Sequence, residues 1–229
     1  MLEPIFVEDF DFSISKEDVL KHFKMAPDHA YGEHIGELLE AVMPLARPRF
    51  FYFETPLDEV TVEGVTIQGV TFESRVLAKN LADKEVVYPY LATSGGELID
   101  YIEANDLELV DQLYVDAVME MLVNKASLTL DRRLTNELPQ GMIAAVNPGS
   151  LVDWSITEQQ KMFELFGDAS KRLGVTLSQS SLMSPIKSVS GIYYPSDTFF
   201  DNCVLCQRTN CPDRKAEFDE ALYCELLEQ

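Results

Sequence analysis

From Arg49 the apolar period of the chain changes, and that change most narrows what the chain can fold into. In "RFFYFETPLDEVTVEGVTIQGVTF", Val60, Val62, Val65, Ile67, Val70 and Phe72 are β-branched or aromatic and nearly alternate. Glu63-Gly64 and Gln68-Gly69 punctuate the run as turns, so strands and hairpins are expected. Helical periods flank it. "SISKEDVLKHF" puts Val19, Leu20 and Phe23 on one face, with Ser15 placed to cap the Asp18 amide. A second helix is expected to stop before Pro44 or Pro48.

"ESRVLAKNLADK" reads as a helix, and "EVVYPYLATSGG" as a buried strand entering a glycine turn. Glycines 95 and 96 there either begin a helix or allow a close approach. A long helical region follows, with Leu109, Leu113, Ala117, Met121 and Lys125 at i, i+4 spacing, flanked by Val110, Tyr114 and Val118. "GMIAAVNPGS" predicts a strand ending in a Pro-Gly turn. "SITEQQKMFELFGDASKRLG" predicts one helix with Ser155 as N-cap, Glu158 closing a capping box and Gly174 at its end. "VTLSQSSLMSPIKSVSGIYYPSD" predicts a strand, a loop and a second strand. Strands and helices alternate without regular βαβ repetition, which favours an α+β fold with a twisted, mainly antiparallel sheet flanked by helices. Three segments are expected: a helical one over 1–50, an α+β core over 51–200, and a cysteine-bearing appendage over 201–229.

With 39 acids against 18 bases, the formal net charge of -21 disfavours nucleic acid and anionic membranes as partners. No apolar run approaches the ~20 residues of a spanning helix. "MLEPIFVEDFDF" lacks the basic and apolar regions of a signal peptide, so a cytoplasmic location is expected. In a reducing compartment, clustered cysteines point to metal or redox chemistry rather than structural disulfides. His22, His29 and His34 lack the i, i+4 spacing of paired ligands on a helix. No phosphate-binding lysine loop, nucleophile elbow or paired-histidine zinc motif occurs.

Two segments carry chemistry. In "SLMSPIKSVSGIYYP", Ser181, Ser184, Ser188, Ser190, Gly191, Tyr193 and Tyr194 either line an adenine-stacking pocket or form a strand with one polar face. In "DNCVLCQRTNCPDRKAEFDEALYCELLEQ", Cys203, Cys206 and Cys211 form a C-x2-C-x4-C cluster, and Cys224 supplies a fourth thiol if its helix folds back over the loop. Four thiolates without histidine suit a [4Fe–4S] cluster or an all-cysteine zinc site. Pro212 after the third cysteine favours iron, and Arg208, Arg214 and Lys215 would offset the cluster's charge. A redox dithiol, or a metal-free tail in which Cys224 simply packs, is the alternative.

The stretch "NPGSLVDWSITEQQKMFELFG…LGVTLSQSSLMSPIKSVSGIYY" resembles the activation domain of cobalamin-dependent methionine synthase, most closely from about Gly141 to Tyr194. That family shows an R-x-x-x-G-Y-P turn, a helix and then an S-V-S-G segment. The resemblance implies an α+β domain around a twisted antiparallel sheet that binds S-adenosylmethionine and presents it to cobalamin. When cobalamin is oxidised to the inactive cob(II) state, one electron and a methyl from S-adenosylmethionine restore methylcobalamin. By resemblance, Asp116, Gly149, Ser190, Gly191, Tyr193 and Tyr194 are the ligand-binding candidates. The implied partner is a corrinoid-binding methionine synthase or related corrinoid protein, with an electron donor such as flavodoxin or ferredoxin. The chain departs from the pattern at Ala145, where the family has arginine, and at Ser150, where it has an aromatic. Alanine cannot make arginine's bidentate contact to a carboxylate, which leaves that contact to Lys187 or Arg133, or leaves the pocket vestigial. A docking or assembly subunit that kept the fold and lost the ligand is the other reading. The cysteines have no counterpart in that domain, and a cluster there would supply the electron the reaction needs.

Overall fold

The computed structural model describes residues 3–137, 142–151, 153–196, 202–211, 214 and 216–227. Strand β1 (Ile5–Val7) precedes helices α1 (Lys16–His22) and α2 (Gly32–Val42). Ser15 and Asp18 cap α1 reciprocally, each side chain accepting from the other's amide. Helix α2 closes two residues before Pro44. Then come β2 (Arg49–Tyr52), β3 (Thr55–Pro56), β4 (Glu59–Val60), β5 (Gly64–Ile67) and β6 (Val70–Glu73). Gln68 and Gly69, with φ of 50° and 80°, make the two-residue turn between β5 and β6. Both residues at positive φ give the turn a twist matching its strands. Helix α3 (Arg75–Leu81) leads to β7 (Val86–Thr93), the buried strand expected from its apolar run.

The expected long helical region is two helices, α4 (Glu97–Asn105) and α5 (Leu109–Glu137). Asp106 separates them with a left-handed backbone at φ 47°, which aspartate tolerates better than most residues. After β8 (Ile143–Val146), the single helix expected after Ser155 is also divided. A tight 3-10 turn leads into α6 (Gln159–Phe166), and Gly167 at φ 52° breaks it from α7 (Asp168–Leu173). The expected capping box is not made. Ser155 accepts from the Thr157 amide, while Glu158 reaches across to the Glu73 amide and pairs with Lys161. The tighter first turn puts a different amide within reach of Ser155, and β6 offers Glu158 another donor. Strands β9 (Thr176–Leu177), β10 (Met183–Ser184) and β11 (Ser188–Pro195) and helix α8 (Glu220–Leu227) complete the order.

The main sheet runs β1-β2-β7-β11-β8, with β3 also on β7, and every pairing is antiparallel. This is the expected α+β architecture. Alternation along each strand sends side chains to two cores. Phe50, Tyr52, Tyr88, Tyr90 and Tyr193 meet Val123, Ala126, Leu130 and Leu134 of α5. Phe51, Leu91, Val146, Ile192 and Tyr194 pack on the other face with the β4-β5-β6 sheet, α3 and α6. The buried stripe of α5 includes Tyr114, Val115, Val118, Leu122 and Ala126, whereas Leu109 and Leu113 of the expected stripe are exposed. The C-terminal segment joins the second core through buried Leu205, with Val204, Leu222 and Tyr223 against it. Among the described residues, no helix is long and apolar enough to cross a membrane.

One histidine ties the helical layer together. His34 Nε2 on α2 lies 2.6 Å from a carboxylate oxygen of Asp111 on α5, and that hydrogen bond raises its pKa. A raised folded pKa gives stability that is full below the unfolded value of about 6.5 and lost as pH rises through the folded value. Chemical denaturation from pH 6 to pH 8 should therefore show the native protein losing more stability than His34→Gln. Equal slopes would contradict the pair's contribution.

Candidate functional site

The S-V-S-G segment forms the first half of β11, an inner strand between β7 and β8. Its hydroxyls are spent inside the protein. Ser188 donates to Thr93 Oγ1 at 2.8 Å, and buried Ser190 donates to Gln159 Oε1 at 2.6 Å. The polar-faced strand is thus the arrangement formed by Ser188 and Ser190. Gly191 lies opposite Tyr90. A Cβ there would stand 2.4 Å from both the Val146 carbonyl and Asn147 Nδ2, so only glycine fits without rearrangement.

Asn147 organises this corner. Its amide donates to Tyr90 Oη at 2.8 Å and to the Ser190 carbonyl at 2.7 Å. Tyr90 and Tyr193 pack with ring centroids 4.6 Å apart on the α5 face. Burial raises Tyr90 to about 12, although the Asn147 hydrogen bond acts in the opposite direction. Tyr193 is pushed up further by its own burial, with Tyr90 adding to it. Both stay neutral phenols at any physiological pH, able to donate or accept hydrogen bonds but not to act as bases. Tyr194 points to the opposite core, where its buried hydroxyl has no partner among the described residues and burial again raises its pKa. The tyrosine pair therefore divides between the two faces of the sheet.

After β8, Asn147-Pro148-Gly149-Ser150 makes a turn, closed by the Ser150 amide on the Asn147 carbonyl at 3.0 Å. Proline at the second position and Gly149 at φ 83° suit a type II turn. The Gly149 amide donates to the Trp154 carbonyl at 2.7 Å, and Trp154 itself is fully buried edge-on to Phe72. Asp153 beside it accepts from Ser74 Oγ and from the Arg75 and Val76 amides, fastening the turn to the start of α3.

Asp116 on α5 pairs with Lys187 at 2.9 Å, and Glu120 joins the same ammonium at 3.2 Å. Arg133 pairs with Glu137 at 3.0 Å and donates to Tyr52 Oη at 2.8 Å. Both cations considered as substitutes for an arginine at position 145 are thus engaged. Ala145 sits in β8 opposite Tyr193. Gly141, where the resemblance begins, lies outside the described residues.

Cys203 falls in a 3-10 turn (Asn202–Leu205), and the Cys206 amide donates to its carbonyl at 3.2 Å. Arg214 donates to the backbone carbonyls of Cys203, Cys206 and Ala216 at 2.9–3.1 Å, and to that of Arg208. Its guanidinium holds the loop's backbone in shape, a role not apparent from its charge alone. Helix α8, which carries Cys224, packs on the 3-10 turn, and the Asp219 amide donates to the Val204 carbonyl at 2.8 Å. The four cysteines are outside disulfides. Among the described residues, no three or more His, Cys, Asp or Glu side chains are gathered as a metal would need. The arrangement thus brings the elements of Cys203 and Cys224 into contact without forming a ligand set. Pro212 and Lys215 lie outside the described residues. His34 reaches Asp111 on α5, whereas His29 stacks on Tyr31 and His22 lies edge-on to Phe23.

No protein-family model and no curated protein matches the chain. Among solved structures, the crystal structure of the MetH reactivation domain bound to AdoHcy superposes with a TM-score of 0.60. The match covers 88% of this chain and 81% of that one, at 18% sequence identity. The fold is that of the MetH reactivation domain. Asn147, Gln159 and Arg214 were not singled out by the sequence as site or loop organisers. An asparagine before Pro-Gly reads as a turn former, and only the sheet register brings its amide to Tyr90.

Proposed function

We propose that this protein is an activation partner of a cobalamin-dependent methionine synthase or a related corrinoid protein, supporting reductive remethylation of oxidised cobalamin with S-adenosylmethionine. The observation that carries this reading is the reactivation-domain fold extending over most of the chain, with S-V-S-G on its inner strand. The solved neighbour holds AdoHcy, which makes an adenosyl ligand the first to test. Asp116, Gly149, Ser190, Gly191, Tyr193 and Tyr194 are proposed as the residues around it, with Tyr193 and Tyr194 on opposite faces of β11 and so reaching it from different sides. The described residues do not fit the ligand's amino-acid end as the resemblance implies. Ala145 offers no guanidinium, and Lys187 and Arg133 are held by carboxylates. No chemical step is therefore assigned to individual residues.

That mismatch favours the second reading, a docking subunit that kept the fold and lost the ligand. Calorimetry with S-adenosylmethionine, and separately with a cob(II)alamin-loaded synthase fragment, distinguishes the two. Heat with both supports remethylation, heat with the fragment alone supports docking, and heat with neither sinks both. Cys203, Cys206, Cys211 and Cys224 remain proposed as metal ligands, a [4Fe–4S] cluster being preferred because it would supply the electron. The contact between α8 and the 3-10 turn puts the element of Cys224 against that of Cys203, although among the described residues the thiols are not gathered as a metal would need. Protein purified without oxygen should show broad brown absorbance that Cys206→Ala abolishes, and metal-free or zinc-bound protein would overturn the electron role.

A further inference from the structure

At the end of the main sheet where β2 begins and β7 ends, a cavity of about 590 Å³ opens on the β1 side, away from β11 and β8. Glu8, Phe12, Arg47, Arg49, Glu97 and Arg172 line it. Three guanidinium groups in one cavity stand out in a chain with 18 basic residues against 39 acidic ones. Arg49 is anchored: Nε donates to the Leu173 carbonyl at 2.8 Å, and Nη1 to Glu97 Oε1 at 2.8 Å and the Arg47 carbonyl at 2.9 Å. These contacts leave Nη2 of Arg49 with no acceptor among the described residues. Arg47 spends Nη1 on the Pro44 and Ala46 carbonyls. Arg172 has no hydrogen-bond acceptor among the described residues, and its guanidinium lies 3.9 Å over the Phe6 ring.

The lining is therefore three partly unsatisfied N–H forks and the ring of Phe12 against two carboxylates, Glu8 and Glu97, of which Glu97 is paired to Arg49 through Oε1 while its buried Oε2 has no partner among the described residues. Guanidinium forks match the geometry of planar or tetrahedral oxyanions, and Arg172 is positioned by its contact with the Phe6 ring. The volume falls within the range of organic-ligand pockets, well beyond that of a bare ion.

We propose that this cavity binds a small organic oxyanion, one carboxylate or phosphate group on an apolar body, with Arg49 and Arg172 taking the charged group. Strand β7 lies between β2, which carries Arg49, and β11, which carries Ser190, Gly191 and Tyr193, and no residue of β8 or β11 lines the cavity, so it is distinct from the site proposed for S-adenosylmethionine.

The test uses the full chain with phenyl phosphate and phenylacetate as probes, titrated by calorimetry at constant ionic strength with sodium chloride as control. The expected result is saturable binding of at least one probe below about 10 mM. Arg172→Gln should weaken it about tenfold, the scale of one charge-assisted hydrogen bond. Because Arg172 is bonded to no backbone group among the described residues, this variant should fold, as unchanged circular dichroism would verify. Preference for phenyl phosphate assigns a phosphate ligand, and preference for phenylacetate a carboxylate. Chloride-like, unsaturable heats, or equal affinity in Arg172→Gln, would overturn the proposal.

Discussion

Gly191→Ala should cost about 3 kcal/mol or more of folding stability and lower the melting temperature by roughly 6–12 °C. The added methyl would meet a main-chain oxygen, Val146 O at 2.4 Å, which cannot swing aside as the end of a side chain can. Moving that oxygen means moving β8, whose Val146 is in register with Ile192. The methyl would also displace Asn147 Nδ2, also 2.4 Å away, from Tyr90 and the Ser190 carbonyl. Each buried group left without its partner adds about 1–3 kcal/mol. Gly36→Ala is the matched control. Its nearest neighbour would be Lys16 Cδ at 3.9 Å within helix α2, so it should gain up to about 1 kcal/mol. Urea denaturation of the two variants checks the contrast, and similar behaviour would contradict the close-approach account.

Trp154→Ala should be the more damaging core change, at about 3–5 kcal/mol. The indole is fully buried edge-on to Phe72, with ring centroids 5.9 Å apart, and its own carbonyl holds the Gly149 amide. Truncation opens a void under the turn that carries Gly149. Trp154 Nε1 is buried with no acceptor in reach among the described residues. Trp154→Phe removes that orphan donor along with some volume, so the two effects offset and the net change should stay within about 1 kcal/mol. If phenylalanine cost as much as alanine, the indole N–H would have to be making a bond that stabilises the fold.

These two residues also mark how far the sequence could be read. Element types followed from local period. The alternation from Val60 to Phe72 became the β4-β5-β6 sheet, and the apolar run before Thr93 became the central strand. Breaks within helical stretches were less legible, because Asp106 and Gly167 act through backbone conformation, which leaves the apolar period intact on either side. The polarity of the serine run was visible, but its direction was not. Whether Ser190 faces a ligand or Gln159 depends on a partner 31 residues away, which no local pattern encodes. The same limit applied to Tyr193 and Tyr194. Adjacent in sequence, they were grouped as a pair, whereas strand alternation assigns them to separate cores. At the C-terminus, the C-x2-C spacing was plain while Arg214's grip on the loop carbonyls was not, since it depends on a turn that returns the side chain over its own backbone.

The most direct test of the proposed role follows the cobalamin itself. A corrinoid protein in the cob(II) state, supplied with a one-electron donor and S-adenosylmethionine, is monitored by visible absorbance with and without this protein. The account predicts that adding the protein converts the cob(II) spectrum to that of methylcobalamin, with one S-adenosylhomocysteine formed per cobalamin. An identical cob(II) spectrum in both samples, across several corrinoid partners that the protein demonstrably binds, would contradict it.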